Sequence, residues 1–175
     1  MIQIRRATIN DGTGIARVQV DSYRTAYVGI FSQAYLDQFT YAEQAQDWYD
    51  WMMNRPRDLI FVAQTEMGEI EGYALGRPGL TKLPPYDSEL VALHVHQTFQ
   101  RQGIGRSLMA KMAEQLRERG GASLMLWVLE QNPARAFYEH LGGQLIGKQE
   151  IELSEDTKAT EVAYGWPDIS ELIKP

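Results

Sequence analysis

The segment Gln100-Arg101-Gln102-Gly103-Ile104-Gly105-Arg106-Ser107 carries residue types and a spacing suited to holding an anion. Glycines at i and i+2 let the backbone approach a ligand closely and turn consecutive N–H groups outward. At a helix start, those donors combine with about half a unit of positive dipole, which favours phosphate. Arg101 and Arg106 add full charges on either side. Competing phosphate motifs fail on residue type. A Walker loop needs G-x-x-x-x-G-K-[ST], and a dinucleotide fingerprint needs a third small residue where Leu108 stands. That fingerprint also belongs in the first βα unit, whereas this turn lies past the middle of the chain. Taken alone, the two glycines are also compatible with a plain tight turn between a strand and a helix.

Acid–base groups flank the turn, with Glu89, His94 and His96 before it and Tyr138 after it. Imidazole titrates nearest neutrality, while a carboxylate near pKa ~4.3 is a poor base unless burial raises it. Simple alternation puts His94 and His96 on the strand face opposite Glu89, and a bulge would scramble that parity. Packing is the plain alternative for both histidines, as a strand-end surface position is for Glu89. Two histidines at i and i+2 without further ligands do not make a metal site, and none is expected. The chain has no cysteine, and no serine sits in a nucleophile elbow, so a covalent route has no obvious carrier.

These groups must be positioned by an ordered run of elements. Ile2–Arg6 alternates apolar and polar residues and reads as a strand. Asn10 or Asp11 is a candidate cap for the helix that follows, with Ile15, Val18, Gln19, Ser22 and Tyr23 along one face. Tyr35–Phe39 and Ala42–Asn54 carry a second helical region, ended by Arg55-Pro56. Leu59–Gln64 and Ile70–Arg77 read as a hairpin across Met67-Gly68, and Glu89–His96 as a long strand after a Pro/Gly-rich loop. Gly103–Arg119 reads as a helix closed by Gly120-Gly121. Ser123–Leu129 reads as a strand apolar enough for burial on both faces. A short helix opens at Asn132-Pro133, and Gln144–Leu153 with Ala159–Trp166 closes the chain as a hairpin. The order, β-α-α-β-β-β-α-β-α-β-β, is that of a mixed-sheet α+β domain.

Bulk properties set limits around this reading. A chain of 175 residues fits one domain, residues 1–175, and 44% hydrophobic with 23% charged residues is ordinary globular composition. A net charge of −6 argues against broad nucleic-acid binding and slightly favours cationic partners, while also serving simple solubility. No apolar run is long enough to span a membrane, and the N-terminus reads as structure from its first residue. The lack of cysteine fits a reducing cytoplasm.

Gln100-x-x-Gly103-x-Gly105 after Leu93-His94-Val95 resembles the acetyl-CoA signature of the GNAT N-acetyltransferase superfamily. Asn132-Pro133-Ala134-Arg135-Ala136-Phe137-Tyr138 through Gly142 resembles that superfamily's second motif, in the right order and spacing. The resemblance covers the whole chain and extends to a bacterial subgroup with poorly defined acceptors. It implies a mixed, mostly antiparallel sheet flanked by helices, with splayed strands opening an acyl-CoA cleft. It also implies acetyl-CoA as co-substrate and an amine acceptor, and dimers are common in the family. Backbone groups of Leu93, His94 and Val95 would then bind the acetyl and pantetheine portions. The loop Arg101, Gln102, Gly103, Ile104, Gly105, Arg106 and Ser107 would hold the pyrophosphate. Asn132 would reach the pantetheine region and Arg135 the nucleotide end. Asn132-Pro133 is equally a helix N-cap and N1 pair, and Arg135 a solvated helix residue.

Tyr138 matches the family's general acid for the departing thiolate, with plain core packing as its alternative. A phenol near pKa ~10 gives its proton to a thiolate of about 8.5 uphill by about 2 kcal/mol, so a charge-assisted hydrogen bond suffices. The acceptor is harder, because an alkyl amine is only about one part in 2,500 neutral at pH 7, a penalty of roughly 4.6 kcal/mol. Glu89 stands fourteen residues before Gly103, the spacing of the base in histone-modifying members of the family. The resemblance implies an acceptor pocket shaped by the first helices and the loop before the long strand. Tyr27 and Phe31 are best placed for it, with core packing as their alternative. Trp127 faces cleft or core, and Asp87 with Glu89 would form an acidic mouth. Two rivals stand beside this reading: a non-catalytic acyl-CoA-sensing module and a nucleotide-binding oxidoreductase.

Overall fold

The computed structural model describes residues 1–79, 81, 83–154 and 157–174. Its strands are β1 (Ile2–Arg6), β2 (Leu59–Thr65), β3 (Ile70–Pro78), β4 (Ser88–Val95), β5 (Leu124–Leu129), β6 (Gln144–Ser154) and β7 (Thr157–Trp166). The helices are α1 (Gly12–Ala26), α2 (Gln33–Leu36), α3 (Tyr41–Asn54), α4 (Ile104–Glu118) and α5 (Arg135–His140). One sheet takes the order β1-β2-β3-β4-β5-β7-β6, with β4–β5 the one parallel pair. The expected mixed, mostly antiparallel α+β architecture is therefore present.

The helices form where apolar residues recur at helical spacing. In α4, Ile104, Leu108, Met109, Met112, Ala113 and Leu116 are buried and pack on one face of the sheet with Phe61, Ala74, Leu90 and Leu126. In α1, Ile15, Ala16 and Val18 join Trp48 of α3 on the opposite face, against Ile60, Val62, Tyr73 and Leu75. The second helical region comes as two helices, as its two segments suggested: Ser32 caps α2, which ends at Leu36 rather than Phe39, and Thr40 caps α3.

Asp11 precedes α1 as expected but does not cap its amides. Its carboxylate instead accepts from Arg5 at 2.8 and 2.7 Å and from the Thr8 N–H at 2.6 Å. The hydrogen bonds from Arg5 lead in lowering its pKa and outweigh burial. Asn132-Pro133 likewise lies before the helix proper. Asn132 Oδ1 accepts the Ala134 N–H at 2.9 Å in a local turn, and α5 begins at Arg135.

Two features of β4 shape the centre of the molecule. The strand pairs with β5 only through Glu89–Met125 and Leu90–Leu126, and beyond those rungs the two strands part. Its register against β3 slips between Leu75–Ala92 and Gly76–Leu90, leaving Val91 as an extra residue.

Candidate active site

Beyond the last β4–β5 rung, a cleft of about 290 Å³ opens between the strands. Val91–Val95 form one wall and Leu126–Leu129 the other, with Tyr23, Tyr27, Asn132, Tyr138 and Glu161 around them. Parting the strands leaves the β5-facing edge of β4 without a ladder partner, so its amides and carbonyls can pair with an extended ligand. Leu93, His94 and Val95 stand along that edge and line the cleft. Gln100 was legible only as a motif residue. Its Nε2 donates to the Val95 carbonyl at 3.0 Å and ties the loop to the strand end.

The Val91 bulge settles the parity of the strand. Ala92 opposes Leu75, His94 opposes Tyr73 and Glu89 opposes Arg77, so Glu89 and His94 share one face. Unbroken alternation put them on opposite faces; the one extra residue reverses that. His94 packs between the Tyr23 and Tyr73 rings at 5.5 and 5.4 Å, and burial pushes its imidazole down to about 4. It is neutral at pH 7.

The glycine-rich turn enters α4 through two left-handed residues, Arg101 at φ 61° and Gly103 at φ 80°. A Cβ at Gly103 would meet open space, so its requirement is conformational. Gly105 answers to packing, since a Cβ there would lie 3.3 Å from Phe137 of α5. Three of the loop side chains bond to the protein. Gln102 Nε2 donates to Thr98 O at 3.2 Å, Ser107 Oγ to Gly103 O at 3.2 Å, and Arg106 to Lys174 O at 3.2 Å. Ile104 is buried in the core. A larger depression of about 610 Å³, lined by Gln102, Ile104, Ser107 and β1, lies outside the strand cleft.

Tyr138 is 7% exposed, flanked by Phe137, Tyr164 and Trp166, and reaches the cleft wall. Burial raises its pKa, so the phenol keeps its proton at neutral pH. Asn132 lines the same cleft while serving the turn before α5. Arg135 is committed elsewhere: Nε donates to Tyr164 Oη and Nη1 to Glu130 O, each at 3.0 Å. Its guanidinium also stands 3.8 Å from Glu139, whose carboxylate accepts the Tyr164 hydroxyl.

Of the residues expected at an acceptor pocket, Tyr27 and Trp127 line the cleft, whereas Phe31 packs on Tyr27 at 5.4 Å and lies outside the lining. Tyr23, Tyr27, Phe31, Tyr35 and Phe39 close into a ring of edge contacts with centroids 4.9–5.5 Å apart. The expected acidic mouth is not built from Asp87 and Glu89. Asp87 accepts the Ala122 and Ser123 N–H groups at 2.8 and 3.2 Å, and these bonds lower its pKa against the opposing effect of burial. Glu89 lies 3.9 Å from Arg77 at the closed base of the V, outside the lining. The carboxylate that does line the cleft is Glu161 of β7, which the sequence presented only as a strand residue. Among the described residues, no cluster of three or more potential ligands can hold a metal ion, and no helix is long and apolar enough to cross a membrane.

The Acetyltransferase (GNAT) family model matches residues 20–143. A Bacillus subtilis (strain 168) protein named uncharacterized N-acetyltransferase YuaI is 38% identical over 172 residues, covering 98% of this chain and 96% of that one. Among solved structures, ribosomal-protein-alanine N-acetyltransferase from Brucella melitensis superposes with a TM-score of 0.72 at 23% identity, covering 94% of this chain and 98% of that one. The PaiA N-acetyltransferase from Thermoplasma acidophilum, in complex with coenzyme A, superposes with a TM-score of 0.69 at 18% identity, covering 93% and 98%.

Proposed function

The chain belongs to the GNAT acetyltransferase family, and from that premise we propose that it transfers the acetyl group of acetyl-CoA to a primary amine by direct attack in a ternary complex. The observation that carries this reading is Tyr138 in the cleft where β4 and β5 part. The pantetheine arm would lie along the unladdered edge of Leu93–Val95, and the pyrophosphate on the amides of Arg101–Ser107. Asn132 stands beside that arm. The side-chain bonds of Arg135 leave it turned toward Glu130 and Tyr164, so a nucleotide contact would require it to exchange partners. The absence of cysteine fits the cytoplasm, where we place the reaction.

In the transfer, the amine nitrogen bonds to the thioester carbonyl carbon, and the C–S bond breaks with its electron pair on sulfur. An alkylammonium gives up two protons overall, one to the departing thiolate and one to solvent. Tyr138 serves the thiolate as a hydrogen-bond donor. Its raised pKa makes full proton transfer steeper, whereas a charge-assisted bond of about 1.5–3 kcal/mol costs no transfer. The proton lost before attack goes through water toward Glu89, on the same strand face as His94. Neutral His94, held down by burial, is the weaker candidate for that role.

Tyr138→Phe tests the reading, because it removes the donor and keeps the ring. Thiol release from acetyl-CoA with an amine panel should fall about 100-fold or more, while CoA affinity by calorimetry stays within twofold. A wild-type protein that binds CoA yet releases thiol with no amine, and is indifferent to the substitution, is a CoA-sensing module.

A further inference from the structure

The β5–β7 register sets Trp127 opposite Ala163 and Leu129 opposite Glu161. Trp127 and Glu161 therefore share a sheet face, while their neighbours Val128 and Val162 point into the α4 core. That shared face is the acceptor side of the cleft, and Tyr27 closes over it from α1. The Tyr27 hydroxyl lies within electrostatic reach of both Tyr138 and Glu161, although burial is the larger cause of its raised pKa.

Glu161 Oε2 accepts from Gln149 Nε2 at 3.1 Å, and no cation among the described residues pairs with the carboxylate. A half-buried carboxylate walled by Tyr27 and Trp127 is poorly solvated and gains most from a cationic partner. Aromatic side chains line the same cleft, and such rings attract a cation. The two carboxylates that the sequence offered for this task are committed elsewhere, Asp87 to the Ala122 and Ser123 amides and Glu89 beside Arg77.

We propose that Glu161 is the acceptor-recognition residue, holding the ammonium of a cationic amine between Tyr27 and Trp127 until it is deprotonated for attack. This rests on the acetyltransferase reading for the identity of the cleft, while its test does not depend on turnover. Butylamine is charged at pH 7, and its alkoxyamine counterpart of similar size is neutral. Calorimetric titration of the CoA-bound protein should show butylamine binding weakened about 10-fold or more in Glu161→Gln and partly retained in Glu161→Asp. Alkoxyamine and CoA affinities should stay within twofold. In steady state, the same variant should raise KM for butylamine more than it lowers kcat. Butylamine affinity within twofold of wild type in Glu161→Gln, or an equal loss for both amines, overturns the proposal. Absence of thiol release from wild type with every amine would instead overturn the acetyltransferase reading, with the calorimetric comparison still deciding the role of Glu161.

Discussion

His94 makes stability depend on pH in a window where few other groups titrate. Its imidazole sits at about 4 in the folded chain, against ~6.5 when unfolded. The folded pKa is depressed, so between those values the unfolded state binds the extra proton. Stability from keeping His94 neutral is therefore complete above about pH 6.5 and is lost as pH falls toward 4. Integrating the two titrations from pH 7 to pH 5 gives a loss of about 2 kcal/mol. Carboxylates are nearly all ionised throughout that interval, so the paired Asp11 and Asp87 contribute little to it.

The perturbation is His94→Phe, which keeps an aromatic ring between Tyr23 and Tyr73 and removes the titration. Urea unfolding followed by tryptophan fluorescence at pH 7 and pH 5 gives the stability change of each protein. Wild type should lose about 2 kcal/mol more than the variant across the interval. Equal losses in both would refute the inference that burial holds the imidazole neutral. They would also restore His94 as a base titrating near neutrality, and the acid limb of the pH–rate profile would then move with it.

Two further substitutions probe the glycine-rich turn before α4 and the packing of Tyr86 on β7. Gly103→Ala places a Cβ on a residue at φ 80° and should cost about 1–2 kcal/mol. It should also weaken CoA binding by calorimetry, and an unchanged affinity would remove the turn from the cofactor site. Gly165→Ala brings a Cβ to 2.5 Å from the Tyr86 ring. The clash should destabilise the fold by about 1–3 kcal/mol in urea, and Tyr86→Ala in the same chain should recover most of that loss.

Much of the fold was legible because single-element signals were strong. The α4 stripe, the apolar Leu124–Leu129 run and the Gly120-Gly121 stop each point to one structure. Boundaries shifted where local side-chain bonds decided them. Ser32 starts α2 at Gln33 rather than Tyr35, Thr40 starts α3 at Tyr41 rather than Ala42, and the Asn132 turn delays α5 to Arg135. Asp11 shows the limit of capping rules: its type and position fit a cap, yet a nearby arginine from β1 claims its carboxylate.

Within the candidate site, the sequence reached groups that act through the backbone or through a local motif. It named Glu89 but left its face open, and it gave Glu161 no role, because both positions depend on register. One extra residue at Val91 moves Glu89 to the face of His94, and nothing in the run Glu89–His96 marks where that residue falls. Glu161 came into view only through the pairing of β7 with β5, across more than thirty residues of chain. Both cases concern where a carboxylate stands along its paired strand: Glu89 ends beside Arg77 at the base of the V, and Glu161 lines the open cleft. The glycine-rich turn and Asn132–Tyr138 are read from contiguous motifs, whereas the cleft is assembled from residues of several elements, among them β4, β5 and β7. Its chemistry follows from how these elements pair rather than from any one segment.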